Sequence, residues 1–198
     1  MKLDIPEGDF QAYIFDCDGT LADSMPIHYE AWTAALGAHG AEFPEALFYE
    51  LGGTPTVQIV SILNERHGLR MDPVETARRK EAIYVEKITH IQPIEPVVEF
   101  AQEYFGKKPL AVASGGHRAV VEKTLASLGI VEMFDTIIGS EDYENGKPAP
   151  DPFLEAARRM AVEPEKCLVF EDTVLGTKSA EAAGMQWVLV PSRPLEKS

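Results

Sequence analysis

Five short runs of apolar and β-branched residues recur along the chain, and longer segments with helical periodicity separate them. The runs cover 12–15, 110–113, 136–138, 167–170 and 187–190. Apolar runs of this length, bounded by Gly, Pro, Asp or Ser, are typical of strands that are buried on both faces. Because these strands alternate with helices, the pattern predicts an α/β protein whose parallel sheet is covered by helices on both faces.

The segment between the first and second strands departs from this alternation. Residues 22–91 contain no strand pattern, and their apolar spacing predicts four helices. The first of these runs from Ser24, its expected N-cap, to about Gly40. The other three are predicted at 44–51, at 57–67 and from Pro73 onward.

This helical block divides the predicted core in two. We expect an α/β core domain formed by residues 1–21 and 92–198, with a small all-helical domain, 22–91, inserted after the first strand. Pro93 and Pro96 restrict the backbone where the chain returns to the core, as a stiff hinge would.

Polar residues follow three of the predicted strands. Asp16 and Asp18 follow the first strand, Ser114 follows the second, and Glu171 and Asp172 follow the fourth. Because the carboxyl ends of parallel strands share one edge of a sheet, we expect these side chains to converge. A cluster of carboxylate oxygens suits Mg²⁺, and no His or Cys is placed to favour zinc.

Further residues near this edge indicate phosphate chemistry. Ser114 and Gly115 open a predicted helix, whose backbone N–H groups can hold an anion. Lys147, fixed between a glycine and a proline, supplies a compact positive charge. Metal, lysine, hydroxyl and helix N-terminus together predict a phosphoryl-transfer site, in which a carboxylate can act as the nucleophile.

Two other interpretations of the segment around Asp16 and Asp18 are weaker. An Asp-Gly pair after a strand is often only a turn, but here other strand ends carry matching polar groups. A calcium-binding loop that began at Asp16 would need Gly at its sixth position and Glu at its twelfth. Leu21 and Ile27 occupy those positions, which excludes this loop.

Composition narrows the possible partners. The 198 residues carry a net charge of -14, so binding to nucleic acid or to an anionic membrane surface is disfavoured. The two cysteines, Cys17 and Cys167, fall in or beside predicted strands and form no disulfide framework, which favours a reducing, cytoplasmic setting. No apolar run has the length of a signal peptide core or a membrane span.

The same residues resemble the four motifs of the haloacid dehalogenase superfamily. The matching segments, in order, are Asp16-Cys17-Asp18-Gly19-Thr20, Ser114, Lys147 within Gly-Lys-Pro-Ala-Pro-Asp, and Glu171-Asp172. They span most of the chain, and the block at 22–91 resembles the helical cap of that superfamily, inserted in a Rossmann-like core. The Gly-Lys-Pro-Ala-Pro-Asp segment and the later Ala-Ala-Gly-Met are most similar to the β-phosphoglucomutase-like branch and its sugar-phosphate phosphatases.

The resemblance implies a role for each motif residue. Asp16 would be the nucleophile, and Asp18 would protonate the leaving oxygen and then activate water. Ser114, Gly115 and Lys147 would hold the transferring phosphoryl group. Asp16, the backbone carbonyl of Asp18, and Asp172 would bind Mg²⁺, with Glu171 beside them.

Residues of the first cap helix are implied to contact the substrate. His28 and Trp32 fall where the branch binds substrate and times cap closure, although a buried packing role fits Trp32 equally well. His117, just after the Ser-Gly-Gly turn, is placed either at the substrate or on the helix surface.

One departure from the branch favours hydrolysis over isomerisation. The mutases carry a Lys and an Arg in the cap loop, which hold the second phosphate of a bisphosphate intermediate. The corresponding segment here, 51–56, has no positive charge. We therefore expect a Mg²⁺-dependent phosphatase, acting as a monomer on a hexose phosphate such as fructose 1-phosphate.

Three alternatives remain open at this point. The first is a β-phosphoglucomutase-type sugar phosphomutase. The second is a receiver-like signalling domain that takes phosphate on an aspartate, although such a domain has no helical insert after its first strand. The third is a non-catalytic binding protein, which the complete motif set disfavours.

Overall fold

The computed structural model describes residues 2–37 and 39–191. Its centre is a five-stranded sheet in the order β3-β2-β1-β4-β5, and every neighbouring pair is parallel. The strands are β1 (Ala12–Phe15), β2 (Leu110–Ala113), β3 (Thr136–Ile138), β4 (Cys167–Glu171) and β5 (Gln186–Leu189). The predicted α/β class and parallel sheet are therefore confirmed, with β5 displaced by one residue.

Eight α-helices connect or extend these strands. They are α1 (Met25–Gly37), α2 (Glu45–Glu50), α3 (Thr56–His67), α4 (Pro73–Lys87), α5 (Glu95–Tyr104), α6 (Arg118–Ser127), α7 (Asp151–Met160) and α8 (Val174–Ala182) among the described residues. Single turns of 3₁₀-helix occur at Ile88–His90, Val131–Met133 and Pro164–Lys166. No helix in this part of the chain combines the length and apolar character needed to cross a membrane.

Both faces of the sheet are buried, because alternate side chains of each strand enter different apolar clusters. Tyr13 and Phe15 of β1 pack in the cluster that α5 and α6 complete. Ala12 and Ile14 pack on the opposite face, against α7 and α8. Helices on both faces explain why the strands are continuous apolar runs rather than alternating ones.

Helices α1 to α3 share a separate apolar cluster, while Tyr84 of α4 packs in another cluster with Ala31 of α1. Trp32 and Leu36 of α1 pack in the first of these clusters with Leu63 of α3. Helix α4 begins where expected, since the Asp72 carboxylate accepts a hydrogen bond from the Glu75 N–H at 2.9 Å. The four predicted helices are thus present, although α1 ends at Gly37.

The chain leaves the sheet and returns to it through two segments that pair with each other. Ala22 and Pro93 form an antiparallel bridge, and the Ile94 N–H donates to the Leu21 carbonyl at 2.9 Å. These contacts lie at the boundaries expected from the sequence. The division into 1–21 with 92–198 and 22–91 stays a prediction, and its last seven residues, 192–198, lie outside the described part of the chain.

Candidate active site

The carboxyl edge of the sheet gathers the charged residues that the sequence places at strand ends. Lys147 is 3% exposed, and its ammonium donates three hydrogen bonds. The acceptors are Asp16 Oδ1 at 2.7 Å, Glu171 Oε1 at 2.7 Å and the Ala113 carbonyl at 3.1 Å. One lysine therefore ties together the ends of β1, β2 and β4, which are neighbours in the sheet.

Hydrogen bonds to its second carboxylate oxygen hold the Glu171 side chain in place. The Thr173 N–H and hydroxyl both donate to Glu171 Oε2, at 2.6 and 2.8 Å, and the Thr173 hydroxyl accepts from the Gly176 N–H at 2.9 Å. A Cβ at Gly176 would lie 1.9 Å from the Glu171 carboxyl group, so only glycine leaves space for that carboxylate. Sequence reasoning missed Thr173 and Gly176, since an ST-type helix cap looks the same wherever a helix begins.

The acidic cluster at this edge carries more negative charge than Lys147 neutralises. Carboxylate oxygens of Asp16, Glu171 and Asp172 lie within 4.8 Å of one another. Burial raises the pKa of Asp16 to about 7, even though the Lys147 ammonium opposes the rise. Burial and the adjacent Glu171 likewise raise the pKa of Asp172 well above its usual value.

This donor set fits a magnesium ion. When ionised, the three carboxylates and one ammonium leave a net charge of about -2, which a divalent cation would neutralise. Hard carboxylate oxygens are the ligands that Mg²⁺ prefers. Bound there, the cation would draw the phosphoryl group of a substrate to the edge and offset its charge.

Asp18 faces away from this cluster. Its Oδ1 accepts from the Ser24 hydroxyl at 2.6 Å, and His28 Nε2 lies 2.9 Å from the same oxygen. Burial pushes the pKa of Asp18 upward, but His28, Ser24 and the more distant Lys80 outweigh burial and hold that pKa below its usual range. Ser24 stands at the N-cap position of α1, where its carbonyl accepts the His28 N–H at 2.9 Å, while its hydroxyl donates to Asp18.

His28 connects Asp18 to a lysine that the sequence did not single out. Its Nδ1 lies 2.8 Å from Lys80 Nζ, and its ring stacks on Tyr84 at 3.9 Å. Because an ammonium can only donate, Nδ1 is the acceptor and a neutral His28 carries its proton on Nε2, toward Asp18. Burial, and then the Lys80 charge, lower the pKa of His28, which favours that neutral form.

Lys80 is buried among aromatic rings of the helical region. Its side chain is 5% exposed, and Nζ lies 5.5 Å from the ring centroids of both Trp32 and Tyr84. Burial lowers the pKa of Lys80 to about 8, despite the opposing effect of Asp18. The polar run Arg78-Arg79-Lys80-Glu81 is typical of a solvated helix face, so nothing in the sequence marked the third residue.

A cavity of about 80 Å³ lies between the sheet edge and the helical region. Asp16, Ser114 and Gly115 line its floor, and Asp18 and His28 line one side. Gly116 and Thr173 complete the side formed by the sheet edge, and the helical region supplies Met25, Trp32, Phe48, Leu51, Gly52, Gly53, Thr54, Thr56, Ile59 and Lys80. Trp32 is only 2% exposed and packs edge-on against Phe43, so most of its ring belongs to the apolar cluster.

The structure brings together every expected site residue except His117. Its side chain is 55% exposed, and Nδ1 lies 3.4 Å from a Glu141 carboxylate oxygen on the surface. His117 is absent from the lining of the cavity among the described residues. Its placement thus supports the helix-surface alternative.

Comparison with known proteins adds to this geometry. Residues 10–184 match the model of the haloacid dehalogenase-like hydrolase family. The chain is 37% identical over 180 residues to the fructose-1-phosphate phosphatase YqaB of Escherichia coli, covering 90% of this chain and 95% of that protein. It is 29% identical to a phosphorylated carbohydrates phosphatase of Thermotoga maritima, over 89% of this chain and 82% of that one.

Solved structures share the fold. A β-phosphoglucomutase from Clostridium difficile superposes with a TM-score of 0.79 at 25% identity, over 90% of this chain and 83% of that one. CbbY from Rhodobacter sphaeroides superposes with a TM-score of 0.85 at 23% identity, over 96% and 89% of the two chains. With the four motifs assembled at one sheet edge, the protein belongs to the haloacid dehalogenase-like hydrolase family, in its β-phosphoglucomutase-like and sugar-phosphate phosphatase branch.

Proposed function

We propose that this hydrolase is a Mg²⁺-dependent phosphatase that cleaves a small sugar-phosphate monoester through an aspartyl-phosphate intermediate. The observation that carries the proposal is the buried contact of Lys147 with Asp16 and Glu171, beside Asp172, with Asp16 also lining the cavity. Similarity to a fructose-1-phosphate phosphatase over nearly the whole chain supports a hexose phosphate as substrate.

The first half-reaction would form the intermediate on Asp16. A carboxylate oxygen of Asp16 attacks phosphorus, the ester P–O bond breaks, and the leaving sugar oxygen takes a proton from Asp18. Lys147 and the backbone N–H groups after Ser114 would hold the phosphoryl oxygens as charge shifts among them. The ammonium needs no reorganisation for this task, since the Asp16 contact already places it beside the reacting carboxylate.

Asp18 must gain a proton before it can act as the acid. Its contacts with Ser24 and His28 favour the ionised form in the unliganded site. A phosphate ester carries negative charge, and a like charge beside a carboxylate raises the pKa of that carboxylate. Substrate binding would therefore drive proton uptake at Asp18.

The second half-reaction would reverse the role of Asp18. Once the sugar has left, ionised Asp18 takes a proton from water, and the water oxygen attacks phosphorus. The bond between phosphorus and Asp16 then breaks and releases inorganic phosphate. Ser24 and His28 would hold Asp18 in the ionised form that this step requires.

The cavity wall favours a substrate with one phosphate. Among the described residues that line the cavity, Lys80 is the single lysine or arginine on the helical side. Its nearest contacts are an imidazole and two aromatic rings, and the loop from Leu51 to Thr56 is uncharged. A second phosphate would meet one ammonium and no arginine on this side, and so would lack the bidentate pairing that an arginine provides.

The proposal is tested by measuring phosphate release from a panel of sugar monophosphates, once with Mg²⁺ and once with excess EDTA. We expect release from one or a few hexose phosphates, and its loss in EDTA. Each reaction is also scanned for isomerised sugar phosphate after addition of a hexose bisphosphate. Isomerisation faster than phosphate release would establish the mutase alternative, and activity that survives EDTA would contradict the metal requirement.

A further inference from the structure

The loop between α2 and α3 packs directly on the catalytic edge of the sheet. Its Gly53 carbonyl faces the backbone of Gly115, which follows β2. A Cβ added at Gly115 would lie 2.4 Å from the Gly53 carbonyl oxygen and 3.0 Å from the carbonyl carbon. Both are backbone atoms, so no rotamer change would relieve the overlap.

Two further contacts join the same loop to other strand ends. A Cβ at Gly52 would lie 3.0 Å from the Thr173 methyl group, beyond β4. A Cβ at Gly146, next to Lys147, would lie 3.0 Å from the Pro55 ring. The loop thus rests on three segments that also carry the phosphate-binding and acidic residues.

The cavity beside this contact is small and partly open to solvent. The cavity measures about 80 Å³ and contains the faces of Asp16, Asp18 and Lys80. His28 also lines it. Excluding water from such a site strengthens its electrostatic interactions, and closure of a covering segment is a common way to achieve this.

We propose that Gly115 is the residue that allows the loop from Leu51 to Thr54 to close over the site, and that this contact restricts the enzyme to compact phosphate esters. The inference rests on the proposed phosphatase function and deepens it. Gly115 acts here as a positioning residue: its missing side chain sets how closely the helical region approaches the reacting groups. A methyl group at this position would hold the loop away and leave the cavity open.

The test compares Gly115→Ala with the wild-type enzyme on two substrates, in Mg²⁺. One is the best hexose phosphate from the panel, and the other is p-nitrophenyl phosphate, whose aromatic leaving group needs an open site. For Gly115→Ala we expect kcat/KM on the sugar phosphate to fall by about 10- to 100-fold, mostly in kcat, because misplacement by about 1 Å has effects of this size. Activity on p-nitrophenyl phosphate should fall by a smaller factor, so that the ratio of the two kcat/KM values changes.

Two further alanine variants test whether the change in substrate ratio follows the size of the steric overlap. In Gly52→Ala the Cβ would lie 3.0 Å from the Thr173 methyl group and 3.2 Å from the Tyr49 carbonyl oxygen, a milder overlap than at Gly115, so the substrate ratio should change in the same direction but less. Gly37→Ala, where a Cβ would meet no atom within 4 Å, should match the wild type on both substrates. Neither Gly37, Gly52 nor Gly115 has the positive φ that would strain an alanine.

Hydrogen–deuterium exchange supplies a readout that needs no turnover. In Gly115→Ala, the amides of 51–54 should exchange faster than in the wild type, while the sheet amides stay protected. Unchanged exchange in that segment, or wild-type kinetics on both substrates, would overturn the inference. So would an equal loss on both substrates, because the methyl group would then be disrupting the phosphate-binding turn.

The exchange measurement also separates this inference from the proposed function. A wild-type enzyme that releases phosphate from neither substrate would refute the phosphatase proposal. Faster exchange in Gly115→Ala would still support the closing contact in that case.

Discussion

The two walls of the cavity hold their charged residues in opposite ways. At the sheet edge, the buried Lys147 contacts two carboxylates, and a third carboxylate lies beside them, so negative charge is in excess. On the helical side, Lys80 contacts the nitrogen of His28 and two aromatic faces. The first arrangement raises the pKa of its lysine, since Asp16 and Glu171 outweigh the effect of burial, whereas burial lowers that of Lys80 to about 8.

This difference corresponds to two tasks. A lysine locked between carboxylates keeps its charge and its position, which suits a phosphoryl group that must be held through both half-reactions. A lysine among aromatic rings is poorly compensated, with Asp18 and Glu81 as its nearby acids, and can accept a hydrogen-bond partner from the substrate. The sheet edge would therefore carry the chemistry and the helical wall the selection of substrate.

The largest effect is expected from the sheet edge. Asp16→Asn removes the nucleophile and should lower kcat on the sugar phosphate by at least about 10³-fold. Asp9→Asn, the same change at an exposed position, is the matched control and should leave kcat unchanged. Substantial turnover by Asp16→Asn would show that the carboxylate does not carry the phosphoryl group.

Replacing the locked lysine should affect stability as well as turnover. Lys147→Met leaves Asp16 and Glu171 buried without their shared cation, which typically costs about 3–5 kcal/mol in the free energy of unfolding. Urea unfolding measures this change, with the exposed Lys123→Met as the control. A loss below about 1 kcal/mol, the size expected of a surface ion pair, would contradict a buried structural role.

Replacing Lys80, on the helical side, should have the opposite effect on stability. Because the folded-state pKa of Lys80 is about 8 and lies below its unfolded value, the folded state binds fewer protons between these two values. The free-energy cost of burying the charged Lys80 ammonium is fully present below pH 8 and decreases as the pH rises toward 10. Lys80→Met should therefore be more stable than the wild type at pH 7, by about 2 kcal/mol, with the difference shrinking above pH 8.

Turnover by Lys80→Met tests the same difference between Lys80 and Lys147. We expect Lys80→Met to lower kcat/KM on the sugar phosphate by about tenfold at pH 7, equivalent to one hydrogen bond to a charged group. This loss should shrink above pH 8, where the wild-type lysine itself becomes neutral. Arg79→Met, at the exposed neighbouring position on α4, is the control, and a similar loss in that variant would indicate a nonspecific charge effect.

The contrast also explains which half of the site could be predicted. Asp16, Ser114 and Glu171 end apolar runs, and the rule that parallel strands share one carboxyl edge places them together without a structure. Lys147 stood out because a glycine and a proline confine it. The fold followed from the same runs, since strand and helix periodicities alternate clearly outside 22–91.

The helical half gave no comparable signal. Lys80 lies in a run of charged residues, and only the packing of α4 on α1 turns it inward toward His28. The contact of Gly53 with Gly115 joins residues far apart in sequence, in a loop without periodicity. Side-chain direction on a helix and loop packing both depend on tertiary contacts that no local pattern encodes.

The measurement that tests the central claim most directly is detection of the phosphorylated aspartate. Wild-type enzyme turning over its sugar phosphate with Mg²⁺ is quenched in acid, treated with labelled borohydride to reduce any acyl phosphate, and digested for mass spectrometry. Label on the peptide that contains Asp16, and its absence from Asp16→Asn, is the predicted result. Efficient turnover with no label on that peptide, or with label at another carboxylate, would contradict the account.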